Sequence, residues 1–266
     1  MTVRPETVDR FRGDQPAAAL VRIEQAKGST PREPGAWMAV GQSATIGTIG
    51  GGQLEWLAIA RAREMIAARE TAETLDIPLG PEIGQCCGGR VQLELQLLDE
   101  RLLRILHEEA QGAAAQLRNV LIFGAGHTGK ALAHALEPLP LKTVLVDERP
   151  GSFEGFVTGI ETLCTPVPES AVRDAPPGSA FVAMTHSHAI DFLIMAEALK
   201  RGDAAYCGMI GSATKRAVFT HWLSDNGYDK ALAGRLTCPI GGTSVRDKRP
   251  EIIAALTAAE IITALA

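Results

Sequence analysis

Apolar and polar positions follow two rhythms along this chain, and the change falls near residue 112. In the first part, residues 18–25 (AALVRIEQ) and 37–40 predict strands on either side of a Gly/Pro-rich loop, residues 27–35 (KGSTPREPG). A second glycine-rich loop, residues 47–52, precedes residues 54–69, where apolar side chains recur at helical spacing. Residues 91–98 (VQLELQLL) alternate apolar and polar with period two, the mark of a half-buried strand. Residues 101–110 predict a short helix, and residues 111–116 (QGAAAQ) a linker.

From residue 119 the rhythm becomes strand–helix–strand. Short apolar runs at residues 120–123, 143–146, 180–184 and 204–210 predict strands. Residues 130–136, 189–201 and 212–225 predict helices, and a last helix begins after Pro250. Strands that alternate with helices imply a parallel, doubly wound sheet. The expectation is an α/β chain of two domains. Residues 1–112 form a smaller α+β domain, and residues 113–266 form a Rossmann-like domain.

Composition narrows the function. The chain has 266 residues, 46% hydrophobic and 21% charged, which is ordinary for a globular protein of two modest domains. Its formal net charge is −5 and it has no run of Lys or Arg, which points away from a nucleic-acid partner. Residues 1–16 lack the apolar core of a signal peptide, and no apolar stretch reaches the roughly 18 residues of a membrane span. A cytoplasmic protein with no membrane association is expected. The five cysteines are then thiols, and no CxxC spacing suggests structural zinc.

Four constellations carry chemistry. Gly124, Gly126 and Gly129 form a GxGxxG turn between a strand and a helix, with Asp147 about 20 residues on, the context of a dinucleotide fingerprint. In that reading Asp147 meets a ribose hydroxyl and the backbone amides meet phosphate. Gly50, Gly51 and Gly52 precede a helix and predict a cradle of backbone donors for an anion. Gln53 and Glu55 follow, and Glu55 either bonds a ring edge or complements the helix N-terminus.

The third constellation, residues 85–90 (QCCGGR), joins Cys86 and Cys87 to Gly88, Gly89 and Arg90. A cation and backbone donors favour a thiolate that ligates a soft metal or carries sulfur, and Cys87 is the favoured metal ligand. The fourth, residues 184–191 (MTHSHAID), places His186 and His188 at the carboxyl end of a predicted strand, where open α/β sheets bind ligands. Outside the fingerprint no acid–base group of the kind a hydride-transfer enzyme needs can be assembled, which counts against NAD(P) as the working ligand.

The segments KGSTPREPGA, TIGTIGGGQLE, GPEIGQCCGGRV, IFGAGHTG, MTHSHAID, AAYCGMIGSATK and PIGGTSVRDKRPEIIAALTAAEI, in this order, resemble the XdhC/CoxI family over nearly the whole chain. The resemblance implies an amino-terminal XdhC/CoxI domain and a carboxyl-terminal Rossmann-like domain. It implies a chaperone that binds the molybdenum cofactor (molybdopterin), holds it while a cysteine desulfurase supplies sulfur, and inserts it into xanthine dehydrogenase. It also implies a homodimer. Two other readings stand on the residues themselves. One is an NAD(P)-dependent oxidoreductase, on the fingerprint and Asp147. The other is a persulfide sulfur-transfer protein using Cys86 or Cys87.

Overall fold

The computed structural model describes residues 3–80 and 88–266. The chain divides into two compact units, residues 1–116 and 117–266.

The first unit is built on an antiparallel five-stranded sheet in the order β3-β2-β1-β5-β4. Its strands are β1 (Ala18–Lys27), β2 (Trp37–Gly41), β3 (Thr45–Gly47), β4 (Ala72–Pro78) and β5 (Arg90–Leu97). Alternation along β1 sends Ala19, Val21 and Ile23 to one face and Leu20 to the other. Helix α2 (Gly52–Ala68) covers the first face with Leu54, Ala58, Ala62 and Met65, a stripe at helical spacing. Helices α1 (Pro5–Asp14) and α3 (Glu100–Ala115) cover the second, where Val8, Leu106 and Ala110 pack with Leu20.

Asp99 caps α3 by accepting from the Leu102 amide at 2.7 Å. The expected linker at residues 111–116 is instead, up to Ala115, the last turn of this helix. Three consecutive alanines and the preceding Gln are strong helix formers, and they carry the helix past Gly112.

The second unit holds a parallel sheet in the order β10-β9-β6-β7-β8. Its strands are β6 (Arg118–Phe123), β7 (Leu141–Asp147), β8 (Glu161–Cys164), β9 (Ala180–Ala183) and β10 (Tyr206–Met209). Helices α4 (His127–Leu136) and α8 (Pro250–Leu265) lie on the face to which β6 turns Val120 and Ile122. Helices α5 (Pro168–Asp174), α6 (His188–Arg201) and α7 (Ala213–Asp225) lie on the face of Leu121 and Phe123. The fold is therefore a Rossmann-like sheet with helices on both faces. Strand β6 has β7 on one side and β9 on the other, so the chain changes direction there. Open α/β sheets carry their ligand crevice at such a switch point, here at the carboxyl ends of β6 and β9.

Candidate functional site

In the first unit, strand register gathers the glycine loops. Lys27 pairs with Arg90, Pro78 with Arg90, Arg22 with Trp37, and Met38 with Gly47. The connections after β1, after β3 and between β4 and β5 therefore all leave one end of the sheet. The loop after β1 touches both of the others. A Cβ on Gly50 would collide with Pro31, and one on Gly89 with the carbonyl of Ser29. Ser29 also bridges to Gly88. Gly50 and Gly89 are thus glycines because backbone or proline lies against them. Gly51 and Gly88 have open space around them and positive φ values of 80° and 66°, conformations that favour glycine.

Gly51 caps α2 with no side-chain partner, and Gly52 begins the helix. The amides there are donors of the kind that receive anions. Gln53 is exposed beside them. Glu55 is already engaged: its Oε1 accepts from the Thr48 hydroxyl and from the Ile49 amide at 3.0 Å. It closes the turn into α2. Arg90 is likewise engaged, with Nε and Nη2 on the two oxygens of Asp76 at 2.6 and 2.7 Å. Cys86 and Cys87 lie outside the described residues.

Among the described residues, the guanidinium at this end that carries no ion pair is Arg32, whose stem packs along Gly50. It lines a cavity of about 220 Å³ with Trp37, Gly47 and Thr48. Sequence reasoning passed over it. The signal was a single arginine inside the Gly/Pro-rich loop, the same pattern of cation beside glycine that singled out Arg90.

In the second unit the three fingerprint glycines divide by cause. Gly124, with φ 110°, has the Met184 carbonyl against it, and a Cβ on Gly129 would strike the Gly124 carbonyl. Both are required by close packing of turn, strand and helix. Gly126 is different. Its φ of −77° suits any residue, it is exposed, and no atom lies within 4 Å of the place a Cβ would take.

Asp147 ends β7 and is buried at 2% exposure. Its Oδ2 accepts from the Ala125 amide at 2.7 Å and from Arg149 Nη2 at 3.0 Å. Its Oδ1 accepts from the Arg149 amide at 3.0 Å and from Arg149 Nε at 2.9 Å. Burial alone would push this carboxyl up. The Arg149 guanidinium and the two amides outweigh burial and hold it down at about 2. The acid expected to meet a ribose hydroxyl thus has four protein donors and pins the glycine turn to the end of β7.

The two histidines have different neighbours. His186 places Nδ1 3.1 Å from Oε1 of Glu148, and His188 stacks over Phe192 at 6.4 Å between ring centres. Among the described residues no group of three or more His, Cys, Asp or Glu side chains is arranged to hold a metal. Behind the histidines, Asp191 Oδ1 accepts from the Thr185 amide at 2.9 Å. Its Oδ2 meets Lys215 Nζ, which also donates to the Ile210 carbonyl at 2.9 Å. That buried pair joins the loop after β9 to the loop after β10. Cys207 is buried, and burial pushes its thiol up to about 12; burial likewise raises Cys238. Cys164 is exposed.

An antiparallel domain with glycine loops at one end and a Rossmann-like domain with a glycine turn at its switch point define a two-domain α/β class. A family model described as the XdhC Rossmann domain matches residues 120–261, and one described as the XdhC and CoxI family matches residues 12–78. The chain belongs to the XdhC and CoxI family. It is 22% identical over 254 residues to the uncharacterized protein YqeB of Escherichia coli strain K12, covering 92% of this chain and 43% of that protein. The chain thus spans less than half the length of this curated relative. Among solved structures it resembles a crystal structure described as a xanthine dehydrogenase from Bacillus halodurans. The TM-score is 0.76 at 20% identity, over 98% of this chain and 95% of that one, a likeness of fold. Among the described residues no helix is long and apolar enough to cross a membrane.

Proposed function

We propose that this chain serves the maturation of xanthine dehydrogenase as a carrier that binds the molybdenum cofactor and inserts it into the enzyme. The observation that carries the reading is the meeting of three loops at one end of the first unit's sheet. The loop of residues 28–34 lies against Gly50 on one side and against Gly88 and Gly89 on the other. Membership in the XdhC and CoxI family supports it.

Molybdopterin combines a phosphate, a polar ring system and a dithiolene-bound metal. The donors present suit the first two. Amides at Gly51 and Gly52 and the guanidinium of Arg32 suit a phosphate, and Trp37, Thr48 and exposed Gln53 offer an aromatic and polar edge. Cys87 is the proposed thiolate toward molybdenum, a soft donor for a metal that accepts sulfur. In this reading a cysteine desulfurase sulfurates the cargo while the chain holds it, and the working form is a homodimer. The test is transfer. Cofactor-free xanthine dehydrogenase should gain activity faster from cofactor-loaded chain than from the same amount of free cofactor, and equal rates would remove the insertion step.

A further inference from the structure

From the structure we infer a second binding site, in the Rossmann-like unit, for a nucleotide that carries a ribose diol and a diphosphate, with Glu148 as the acceptor for a ribose hydroxyl. It is independent of the carrier reading, which rests on the first unit.

Three observations carry it. The first is Glu148 itself. Its Oε1 faces His186, while Oε2 is buried with no hydrogen-bond partner among the described residues. A buried carboxylate oxygen without a donor is costly and calls for an explanation. Glu148 follows β7 immediately, at the place where Rossmann-like sheets carry the acid that receives a ribose hydroxyl. Asp147, one residue earlier, has its donors from Ala125 and Arg149.

The second is position. Strand β6 lies between β7 and β9, so a residue after β7 that touches a residue after β9 must reach across the end of β6. Strands two apart are separated by about 10 Å. The Glu148–His186 contact therefore spans the start of the Gly124–Gly129 turn, within the switch-point crevice.

The third is Gly126. Neither its backbone conformation nor its neighbours require glycine. A glycine at the second fingerprint position is explained by a phosphate that comes close to the backbone. The amides of Gly126, His127 and Thr128 open α4 and would donate to it.

The carboxylate is covered as it stands, so a hydroxyl reaches it by displacing a neighbour. His186 lies against it and is half exposed, so it is the side chain placed to turn aside. A hydroxyl donor to a charged acceptor is worth about tenfold to a hundredfold in affinity.

The experiment measures binding of ADP and of 2′,3′-dideoxy-ADP to the full chain by titration calorimetry. The expected result is that wild type prefers ADP by about tenfold or more, that Glu148→Ala removes the preference, and that Gly126→Ala weakens both nucleotides at unchanged melting temperature. Absence of ADP binding to wild type would overturn the inference, as would a hydroxyl preference that survives in Glu148→Ala. Either result leaves pterin binding by the first unit untouched, and loss of pterin binding leaves this site untouched.

Discussion

The ammonium of Lys215 lies 2.5 Å from Oδ2 of Asp191, with Asp191 fully buried and Lys215 only 8% exposed. The pair also holds the Thr185 amide and the Ile210 carbonyl, so two crevice loops hang on it. Removing one member strands a buried charge, at a cost of about 3–5 kcal/mol. Lys215→Met and Asp191→Asn should each lower stability by about that amount in urea unfolding. The double variant should lose less than the sum. Additive losses would mean that the two groups act separately.

Asp147 gives the chain an acid-sensitive joint. Held at about 2 when folded, against an ordinary value near 3.9, it is ionised more readily in the native state. The gap corresponds to about 2–3 kcal/mol, fully present above about pH 5 and lost as pH falls through 3.9 toward 2. Asp147→Asn should cost about that much at pH 7 and flatten part of the decline in stability between pH 5 and pH 2. An unchanged acid profile would show that the carboxylate is not the joint.

The fingerprint glycines should separate by stability. Gly129→Ala presses a methyl into the Gly124 carbonyl and should cost about 1–3 kcal/mol. Gly126→Ala meets nothing and should stay within about 0.5 kcal/mol of wild type. Thermal melts of the two variants read the difference.

Glu55 should behave as part of a helix terminus. Glu55→Ala removes the acceptor of Thr48 and Ile49 and should cost about 1–2 kcal/mol in urea unfolding. A variant as stable as wild type would mean that this carboxylate does not close the turn into α2.

The sequence was clearest where side chains are buried on both faces. Strands β6, β9 and β10 are short apolar runs, and helices α4, α6 and α7 bury apolar residues at helical spacing, so these elements of the Rossmann-like unit could be read from the pattern. Strand β8 was passed over because all four of its residues are exposed and no alternation marks an edge strand without a buried face. Strand β4 does alternate, but only between exposed and half-buried positions, with Pro78 at its end. Helix α1 buries just Val8 and Phe11, too few for a visible period.

At the site, residue type was legible and pairing was not. Glycine runs announced tight backbone. Which carboxylate stays without a donor depends on neighbours far along the chain. Asp147 is bound to Ala125, 22 positions away, and Glu148 to a residue beyond the next strands. Asp191 and Lys215, 24 positions apart, became partners only when their loops met.

The most direct measurement of the carrier reading is the pterin content of the purified chain, produced in cells that make molybdenum cofactor and read as fluorescence after oxidation. The account predicts pterin close to one per chain in wild type and a severalfold loss in Cys87→Ala at unchanged melting temperature. Fluorescence in wild type no higher than in chain from cofactor-deficient cells would contradict it.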